Sequence, residues 1–263
     1  MGNQITIGQY LPGDSPIHRL DPRVKLLLVL IFMFTAFLVD TFQGYGLYML
    51  LILFVTWQAQ VPLDRLWKGL KPIFLILVFT FLINVAFTPG KIIWSWWIFS
   101  VSDEGLIRAA FIAIRLILLV LGTSLLTLTT SPLELTDGIA WLLKPLDFTG
   151  FPSHVIAMMI SIALRFIPTL FDETTKIMKA QKARGADFES GNILERAKAM
   201  IPLFVPLFLN AINRADELGV AMEARCYTGS NKRTRLNPLK LTRRDGIVFC
   251  VCVVIFILIS IFF

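Results

Sequence analysis

The sequence is poor in the residues that build disulfide frameworks and metal sites. It has three cysteines (Cys226, Cys250 and Cys252) and two histidines (His18 and His154). An odd number of cysteines does not predict a disulfide framework, and no histidine cluster accompanies them as a zinc site would require. We therefore expect neither a metal ion nor a cofactor.

Common catalytic motifs are also absent. There is no Gly-rich phosphate loop ending in Lys-Ser/Thr, no His-Glu-x-x-His and no Gly-x-Ser-x-Gly. A lipid-modifying enzyme would need paired acids or a nucleophile group at the membrane interface, and no convincing set occurs. We expect no catalytic residue and no enzyme activity in this chain.

Charged residues are scarce at 16%, whereas ordinary soluble domains contain about 25%. Hydrophobic residues make up 56% of the 263 residues, which disfavours both a soluble enzyme and a disordered chain. The 25 Lys and Arg and 18 Asp and Glu are nevertheless too many for a protein lying wholly in lipid. The composition predicts an integral membrane protein with one charged portion.

The charge is concentrated between Phe171 and Arg244. This stretch contains 14 Lys and Arg against 8 Asp and Glu, so it holds most of the formal net charge of +7. A basic stretch can bind nucleic acid, anionic lipid or an acidic protein. In a membrane protein the simpler interpretation is a cytoplasmic face that follows the positive-inside bias, so no nucleic-acid partner is expected.

Five apolar runs are long enough to approach the roughly 20 residues that a membrane-crossing helix needs. Basic residues precede the first run and follow the second, which predicts that both segments are cytoplasmic. The loop at 88–105 carries Lys91, Asp103 and Glu104 and is rich in tryptophan, which is typical of an outer interface with an aromatic belt (Trp94, Trp96, Trp97). The five predicted spans are Val24–Val39, Gly44–Gln58, Lys71–Phe87, Ile107–Thr130 and Gly246–Phe263.

A sixth apolar run, Val155–Phe171, is predicted not to cross, because a crossing would place the most basic segment outside the cell. Its helical spacing continues to about Ala183, which predicts an amphipathic cytoplasmic helix. A second such helix is expected from about Ile201 to Cys226, with Pro202 and Pro206 kinking it or delaying its start. A shorter one should start at Ser131 as N-cap and end near Pro145. Asp21-Pro22 likewise predicts an N-cap at Asp21, with proline in the first turn of the first span.

The predicted fold is therefore an all-α membrane protein with about five transmembrane helices and three amphipathic cytoplasmic helices. Residues 1–130 would form the N-terminal cytoplasmic segment and four spans. Residues 131–244 would form a cytoplasmic coupling domain, and residues 245–263 a final span. Arg115 lies within the fourth span, where an interhelical contact is favoured over a transport role.

The two long amphipathic helices are predicted to end in the same pattern, Ala-x-x-Ala-Arg followed by a small residue. One copy ends in Ala183-Arg184-Gly185 and the other in Ala224-Arg225-Cys226. Alanines beside the arginine leave a bare stripe that fits a groove, and a guanidinium pairs with a carboxylate through two hydrogen bonds. The residues alone leave two interpretations open, docking into acidic pockets or ordinary solvated helix ends.

The chain resembles the transmembrane T component of energy-coupling factor transporters. The resemblance covers essentially the whole chain. It is carried by the N-terminal segment from Pro12-Gly13-Asp14-Ser15 to Lys25-Leu26, by the two Ala-Arg-small motifs and by the order of spans and amphipathic helices. Cys226 departs from the family pattern, which commonly has Gly or Ser there. Since Cys adopts the left-handed cap less easily than Gly, the helix is expected to continue past Cys226.

The resemblance implies a scaffold subunit of a prokaryotic importer of vitamins and other micronutrients, in the cell membrane with a cytoplasmic N-terminus. Its partners would be two ABC ATPases, identical or different, and a membrane substrate-binding S component, either a single one or one of several that interchange. The two motifs would contact the ATPases, and Phe166, Phe204 and Phe208 would face the S component. The alternative is a substrate-translocating permease subunit of another ABC importer, which usually presents one coupling helix per chain.

Overall fold

The computed structural model describes residues 10–89, 92–96, 99–150, 152–188, 192–229 and 239–263. Within these ranges the chain is helical apart from one two-stranded hairpin, so the predicted all-α fold is confirmed. The helices are α1 (Pro22–Leu38), α2 (Phe42–Ala59), α3 (Leu63–Leu70), α4 (Phe74–Phe87), α5 (Asp103–Thr129), α6 (Pro132–Leu143), α7 (Ser153–Ala183), α8 (Ile193–Ala224) and α9 (Arg243–Phe262), with a 3-10 turn at Lys144–Thr149.

The hairpin lies between α4 and α5, where the sequence predicted an outer loop. Strands β1 (Ile92–Trp96) and β2 (Phe99–Ser102) pair antiparallel, with Trp96 opposite Phe99. Lys91 and Trp97, and the side chains of Trp94 and Trp96, lie outside the described residues. The aromatic belt therefore stays a prediction.

Within the part of the chain that the structure describes, three helices are long and apolar enough to cross a membrane: α5, α7 and α9. A fourth span is possible if α3 and α4 form one bent crossing, with 57° between them. The bend falls at Lys71-Pro72, because proline lacks the N–H that would continue the helix and its ring clashes with the preceding turn. Helices α1 and α2 have 17 and 18 residues, near the lower limit for a span, so the number of five crossings stays a prediction.

The described residues divide into two compact units. The larger unit contains α1 to α6, the hairpin and α9, and the smaller unit contains the 3-10 turn, α7 and α8. The predicted division at 130/131 and 244/245, which assigns roles to three parts of the chain, stays a prediction.

The core of the larger unit lies among α1, α2, α5 and α9. The rings of Phe32, Tyr48 and Phe256 meet there, with centroids 5.3 to 6.0 Å apart. Gly122 of α5 packs against the same cluster, since a Cβ at that position would lie 2.7 Å from Phe32 Cε1. The absence of a side chain at Gly122 therefore permits the close approach of α1 and α5.

Arg115 is satisfied by contacts between helices, as the sequence interpretation favoured. Its Nε donates to Tyr45 Oη at 2.9 Å, and its Nη2 donates to the Val39 carbonyl at 3.1 Å and to Asp40 Oδ1 at 3.2 Å. Tyr45 Oη in turn donates to the Val39 carbonyl at 2.7 Å. The guanidinium thus joins α5 to the connection between α1 and α2.

The N-terminal segment (residues 10–21) is folded around His18. The His18 ring packs on Gly13, accepts the Ser15 hydroxyl at Nδ1 (2.7 Å) and donates from Nε2 to the Leu11 carbonyl (3.1 Å). Burial lowers the pKa of His18, which favours this neutral tautomer. The segment ends at Asp21, whose carboxylate accepts from the Arg23 N–H at 2.9 Å and caps α1, as predicted.

The predicted start of α6 is confirmed. The Ser131 hydroxyl accepts from the Glu134 N–H at 3.3 Å, while the Glu134 carboxylate accepts from the Ser131 N–H at 3.1 Å. This reciprocal pair is a capping box. The helix ends at Leu143 and passes into the 3-10 turn at Pro145, close to the predicted end.

In the smaller unit, α7 runs unbroken for 31 residues from Ser153 to Ala183, and its predicted end is confirmed. Of the two effects predicted for Pro202 and Pro206, the delayed start of α8 is wrong, and the kink stays a prediction. Helix α8 begins at Ile193, well before Pro202 and Pro206, and both prolines lie inside it. Its start is set by a capping box between Asn192 and Glu195, which the sequence analysis missed.

Candidate functional site

The first predicted motif forms the C-terminal end of α7. The Gly185 N–H donates to the Lys182 carbonyl and the Ala186 N–H donates to the Gln181 carbonyl, both at 3.0 Å. Gly185 has φ +89°, in the left-handed region. These two bonds and the positive φ define a Schellman motif in which Arg184 is the C-cap residue.

The second motif ends α8 in the same way. The Cys226 N–H donates to the Glu223 carbonyl at 2.8 Å, and the Tyr227 N–H donates to the Met222 carbonyl at 3.0 Å. Arg225 is the C-cap residue, with φ −94° and ψ 16°, close to the −88° and 5° of Arg184. The two arginines therefore leave their helices from the same backbone conformation.

The expectation that α8 continues past Cys226 is wrong. The helix ends at Ala224, and Cys226 adopts φ +57°. A left-handed conformation costs an L-residue about 1–2 kcal/mol relative to glycine. The two Schellman hydrogen bonds satisfy carbonyls at the end of α8, and they hold Cys226 in the conformation that glycine would adopt more easily.

All six residues of the two motifs are exposed: Ala183, Arg184, Gly185, Ala224, Arg225 and Cys226. Within the described residues, neither guanidinium forms an ion pair. The last carbonyls of each helix carry partial negative charge, which favours a cation at this position. Each end thus presents five guanidinium N–H donors beside a narrow, alanine-lined tip, a shape suited to a groove that contains a carboxylate.

An apolar stripe runs along α8 on the N-terminal side of its motif. Phe204 and Phe208 are 59% and 66% exposed, and both lie on this stripe. Its members recur at helical spacing and are all exposed: Ile201, Phe204, Val205, Phe208, Leu209 and Ile212. A continuous apolar stripe of this kind is suited to lipid or to an apolar partner.

Phe166, the third aromatic residue predicted to face the S component, is half-buried on α7 and has a partner within the unit. The Arg214 guanidinium carbon lies 5.6 Å from the centroid of its ring. Arg214 Nη2 also donates to Glu173 Oε1, so one arginine of α8 contacts two residues of α7. Phe166 therefore takes part in the contact between the helices.

The Arg214 contacts were not predicted from the sequence. Glu173 and Arg214 are 41 positions apart, and neither belongs to a motif. Periodicity gives the apolar face of each helix but not the register of one helix against the other. The sequence offered one signal for this contact, an acid on one amphipathic helix and a base on the other, and that signal does not identify which residues pair.

A family model described as cobalt transport protein matches residues 13–236 of the chain. Curated relatives named energy-coupling factor transporter transmembrane protein match nearly its full length. The protein of Clostridium kluyveri is 54% identical over 99% of this chain and 97% of its own. That of Thermosediminibacter oceani is 51% identical over 94% and 93%, and that of Bacillus subtilis 48% over 97% of each chain.

The matched region contains most of the N-terminal segment and both Arg-bearing helix ends, the features on which the resemblance was based. The similarity to the Clostridium kluyveri protein extends over nearly the whole chain and therefore covers all the helices described above. The chain belongs to the cobalt transport protein family and, within it, to the transmembrane components of energy-coupling factor transporters.

Proposed function

We propose that the chain is the scaffold subunit of a micronutrient importer, and that it couples ATP hydrolysis by two partner ATPases to movement of a substrate-binding S component. The observation that supports this most is the pair of Schellman ends at Arg184 and Arg225. Apart from the shared Ala-x-x-Ala-Arg pattern, the sequences of α7 and α8 differ, yet both helices end in the same backbone conformation at an arginine. Two equivalent acidic grooves on two ATPase subunits would account for that repetition.

Each arginine contributes both charge and geometry to docking. Its forked guanidinium forms two parallel hydrogen bonds to one carboxylate, and such charge-assisted bonds are roughly twice as strong as neutral ones. Because Arg184 and Arg225 are exposed, they can enter a partner without disturbing the packing of α7 and α8. The Schellman motif fixes the direction in which each side chain leaves its helix.

The same two helices can carry movement from the ATPases to the membrane. Helix α7 has 31 residues and α8 has 32, so each is roughly 45 Å long at 1.5 Å per residue. The Glu173–Arg214 pair joins them, so that displacement of one helix acts on the other. The stripe with Phe204 and Phe208 would carry the S component, whose apolar surface would cover it.

The protein acts in the prokaryotic plasma membrane in this proposal. Its N-terminus and both arginine-bearing ends face the cytoplasm, where ATP is available to the partner ATPases. The two ATPases are either identical or different. The scaffold binds either a single S component or several that exchange with one another. Hydrolysis belongs to the ATPases, and the chain itself supplies no catalytic residue.

Charge reversal tests the docking. We expect Arg184→Glu or Arg225→Glu to reduce co-purified ATPase about tenfold, since each removes a charge-assisted bidentate contact. The double variant should abolish attachment. The matched control is Arg196→Glu, which reverses an exposed charge in the first turn of α8, outside both motifs. The measurement is the amount of ATPase retained on affinity-purified, detergent-solubilised protein.

The control separates docking from general electrostatic attraction. If Arg196→Glu weakens attachment as much as the motif variants do, the arginines contribute only net charge and the proposal is wrong. Retention of undiminished ATPase by the double variant would also overturn it. A cysteine placed beside each motif should cross-link to two different ATPase chains, whereas a permease subunit with one coupling helix would cross-link from one position only.

A further inference from the structure

The larger unit contains a cavity of about 850 Å³ with mainly apolar walls and one charged end. Its walls are formed mainly by apolar residues of α1, α2, α5 and α9, among them Val29, Leu126 and Val248. Its charged lining residues lie at the N-terminal ends of α1 and α9 and in the segment before α1: Asp14, Arg19, Lys25, Arg244 and Asp245. The volume falls within the range of about 300–1,000 Å³ that is typical of ligand sites.

The two acids that line the cavity, Asp14 and Asp245, already have partners within the protein. Asp245 Oδ2 accepts from the Thr242 N–H at 2.8 Å, and its Oδ1 accepts from the Asp21 N–H at 3.4 Å. Asp14 lies 3.8 Å from Arg19 in an exposed ion pair. Neither carboxylate lies within ion-pair distance of Lys25 or Arg244.

Lys25 is the unusual member of the lining. It is 6% exposed and forms no ion pair with another described residue. Its Nζ donates to the His18 carbonyl at 3.1 Å and to the Thr129 carbonyl at 2.8 Å. An ammonium has three donors, so one remains for a ligand. The carboxylates of Glu134, Asp21 and Asp245 act on it electrostatically, but none of them lies within ion-pair distance. A buried cation without a direct salt bridge is costly, and an anion in contact with Nζ would offset that cost.

Arg244 is a second cation at the charged end of the cavity that has no ion-pair partner in the described chain. Its side chain is exposed. It lies in the first turn of α9, whose N-terminus is linked to that of α1 through Asp245 and the Asp21 N–H. Two adjacent helix N-termini add partial positive charge at the same place. Two cations that form no ion pair with any described residue, Lys25 and Arg244, thus lie beside apolar walls. This combination matches a ligand with an anionic head and a hydrocarbon tail.

We propose that this cavity binds one anionic phospholipid of the surrounding membrane. Its phosphate would lie at Lys25 and Arg244, and an acyl chain would enter between α1, α2, α5 and α9. The lipid would fill space that the helices leave open and would stabilise the starts of α1 and α9 together. This inference does not depend on the ATPase or S-component contacts proposed above.

The test compares lipid retention by the full chain. Protein reconstituted in nanodiscs of phosphatidylglycerol or phosphatidylcholine is re-extracted in mild detergent, and bound lipid is counted by native mass spectrometry. We expect one retained phosphatidylglycerol per chain and little phosphatidylcholine. Arg244→Gln should lower phosphatidylglycerol occupancy about fivefold, the usual effect of one basic residue at an anionic surface. Its matched control, Arg243→Gln, removes an adjacent exposed charge that does not line the cavity and should leave occupancy unchanged.

The apolar half is tested separately. Leu126→Trp and Val29→Trp each fill part of the cavity from a different helix, so failure of one variant to fold leaves the other. Both should abolish retention, whereas Leu50→Trp, at a position 64% exposed outside the cavity, should not. Equal retention of the two lipids, equal losses in Arg243→Gln and Arg244→Gln, or full retention in both cavity-filling variants would overturn the proposal. If the filled cavity instead displaces a partner protein and leaves lipid bound, the proposal is also wrong.

Discussion

At the scale of single residues, the two arginine-bearing ends differ in the residue that follows the arginine. Gly185 adopts φ +89° without steric cost, whereas Cys226 adopts φ +57° with a Cβ. Cys226→Gly should therefore stabilise the end of α8 by about 1 kcal/mol. We expect amide hydrogen exchange at positions 226 and 227 to slow about fivefold, because these N–H groups form the Schellman bonds.

A β-branched residue supplies the opposite change. Cys226→Val should fray the end of α8, speed exchange at the same two amides and reduce ATPase attachment, since Arg225 would lose its fixed direction. Exchange within the first turns of α8 should not change in either variant. Equal exchange rates in the Gly, Cys and Val proteins would show that the left-handed conformation is not maintained in solution.

At the scale of elements, an ion pair and a cation–π contact connect α7 and α8. Arg214 contacts both Glu173 and Phe166, and the Arg214 and Glu173 side chains are only 31% and 20% exposed. Arg214→Met should lower the thermal stability of the protein, because it leaves a half-buried carboxylate without its partner. In a double-mutant cycle with Glu173→Gln, we expect a coupling energy of about 1 kcal/mol, within the usual range for residues in contact.

The exposed pair of Asp64 and Lys68 on α3 is the matched comparison. Its side chains are 68% and 64% exposed, and water screens the interaction. The same cycle on Asp64→Asn and Lys68→Met should give a coupling within experimental error. If the two cycles give equal couplings, the Arg214 contact is no more than a surface pair and cannot carry movement between the helices.

At the scale of the whole molecule, the features that were predictable depend on local chemistry. The caps at Asp21 and Ser131 and the end of α7 at Ala183 follow from residues close in sequence, and all three were predicted. The start of α8 at Asn192 also follows from a local capping box, which the two prolines concealed. The arginine motifs could be located because the same local pattern occurs twice.

Contacts across the fold were not predictable in the same way. The Glu173–Arg214 pair, the cavity lined by Lys25 and the 57° bend between α3 and α4 all depend on how helices meet. Hydrophobic periodicity fixes which face of a helix is apolar and leaves its neighbour undetermined. Cys226 shows that residue preference alone can mislead. Cysteine disfavours the left-handed conformation, but the two Schellman hydrogen bonds hold Cys226 in it.

The membrane topology depends mainly on α7. Its 31 residues span roughly 46 Å, enough to cross a hydrocarbon core of about 30 Å, and its length and composition alone permit a crossing. The basic residues that follow it favour the cytoplasm for its C-terminal end. The four crossings predicted before it place its N-terminal end on the same side. We expect Phe148→Cys and Lys179→Cys, at exposed positions flanking its apolar part, to react with an impermeant maleimide only after the cells are permeabilised.

The experiment requires a background in which Cys226, Cys250 and Cys252 are replaced, since Cys226 and Cys250 are exposed. Glu104→Cys, in the first turn of α5, is the control for the outer face and should react in intact cells. Reaction of Lys179→Cys in intact cells would make α7 a sixth crossing and place Arg184 outside the cell. Docking to ATPases would then be impossible for this end, because ATP and its hydrolysing subunits are cytoplasmic. The topology assay therefore tests the scaffold proposal independently of any binding measurement.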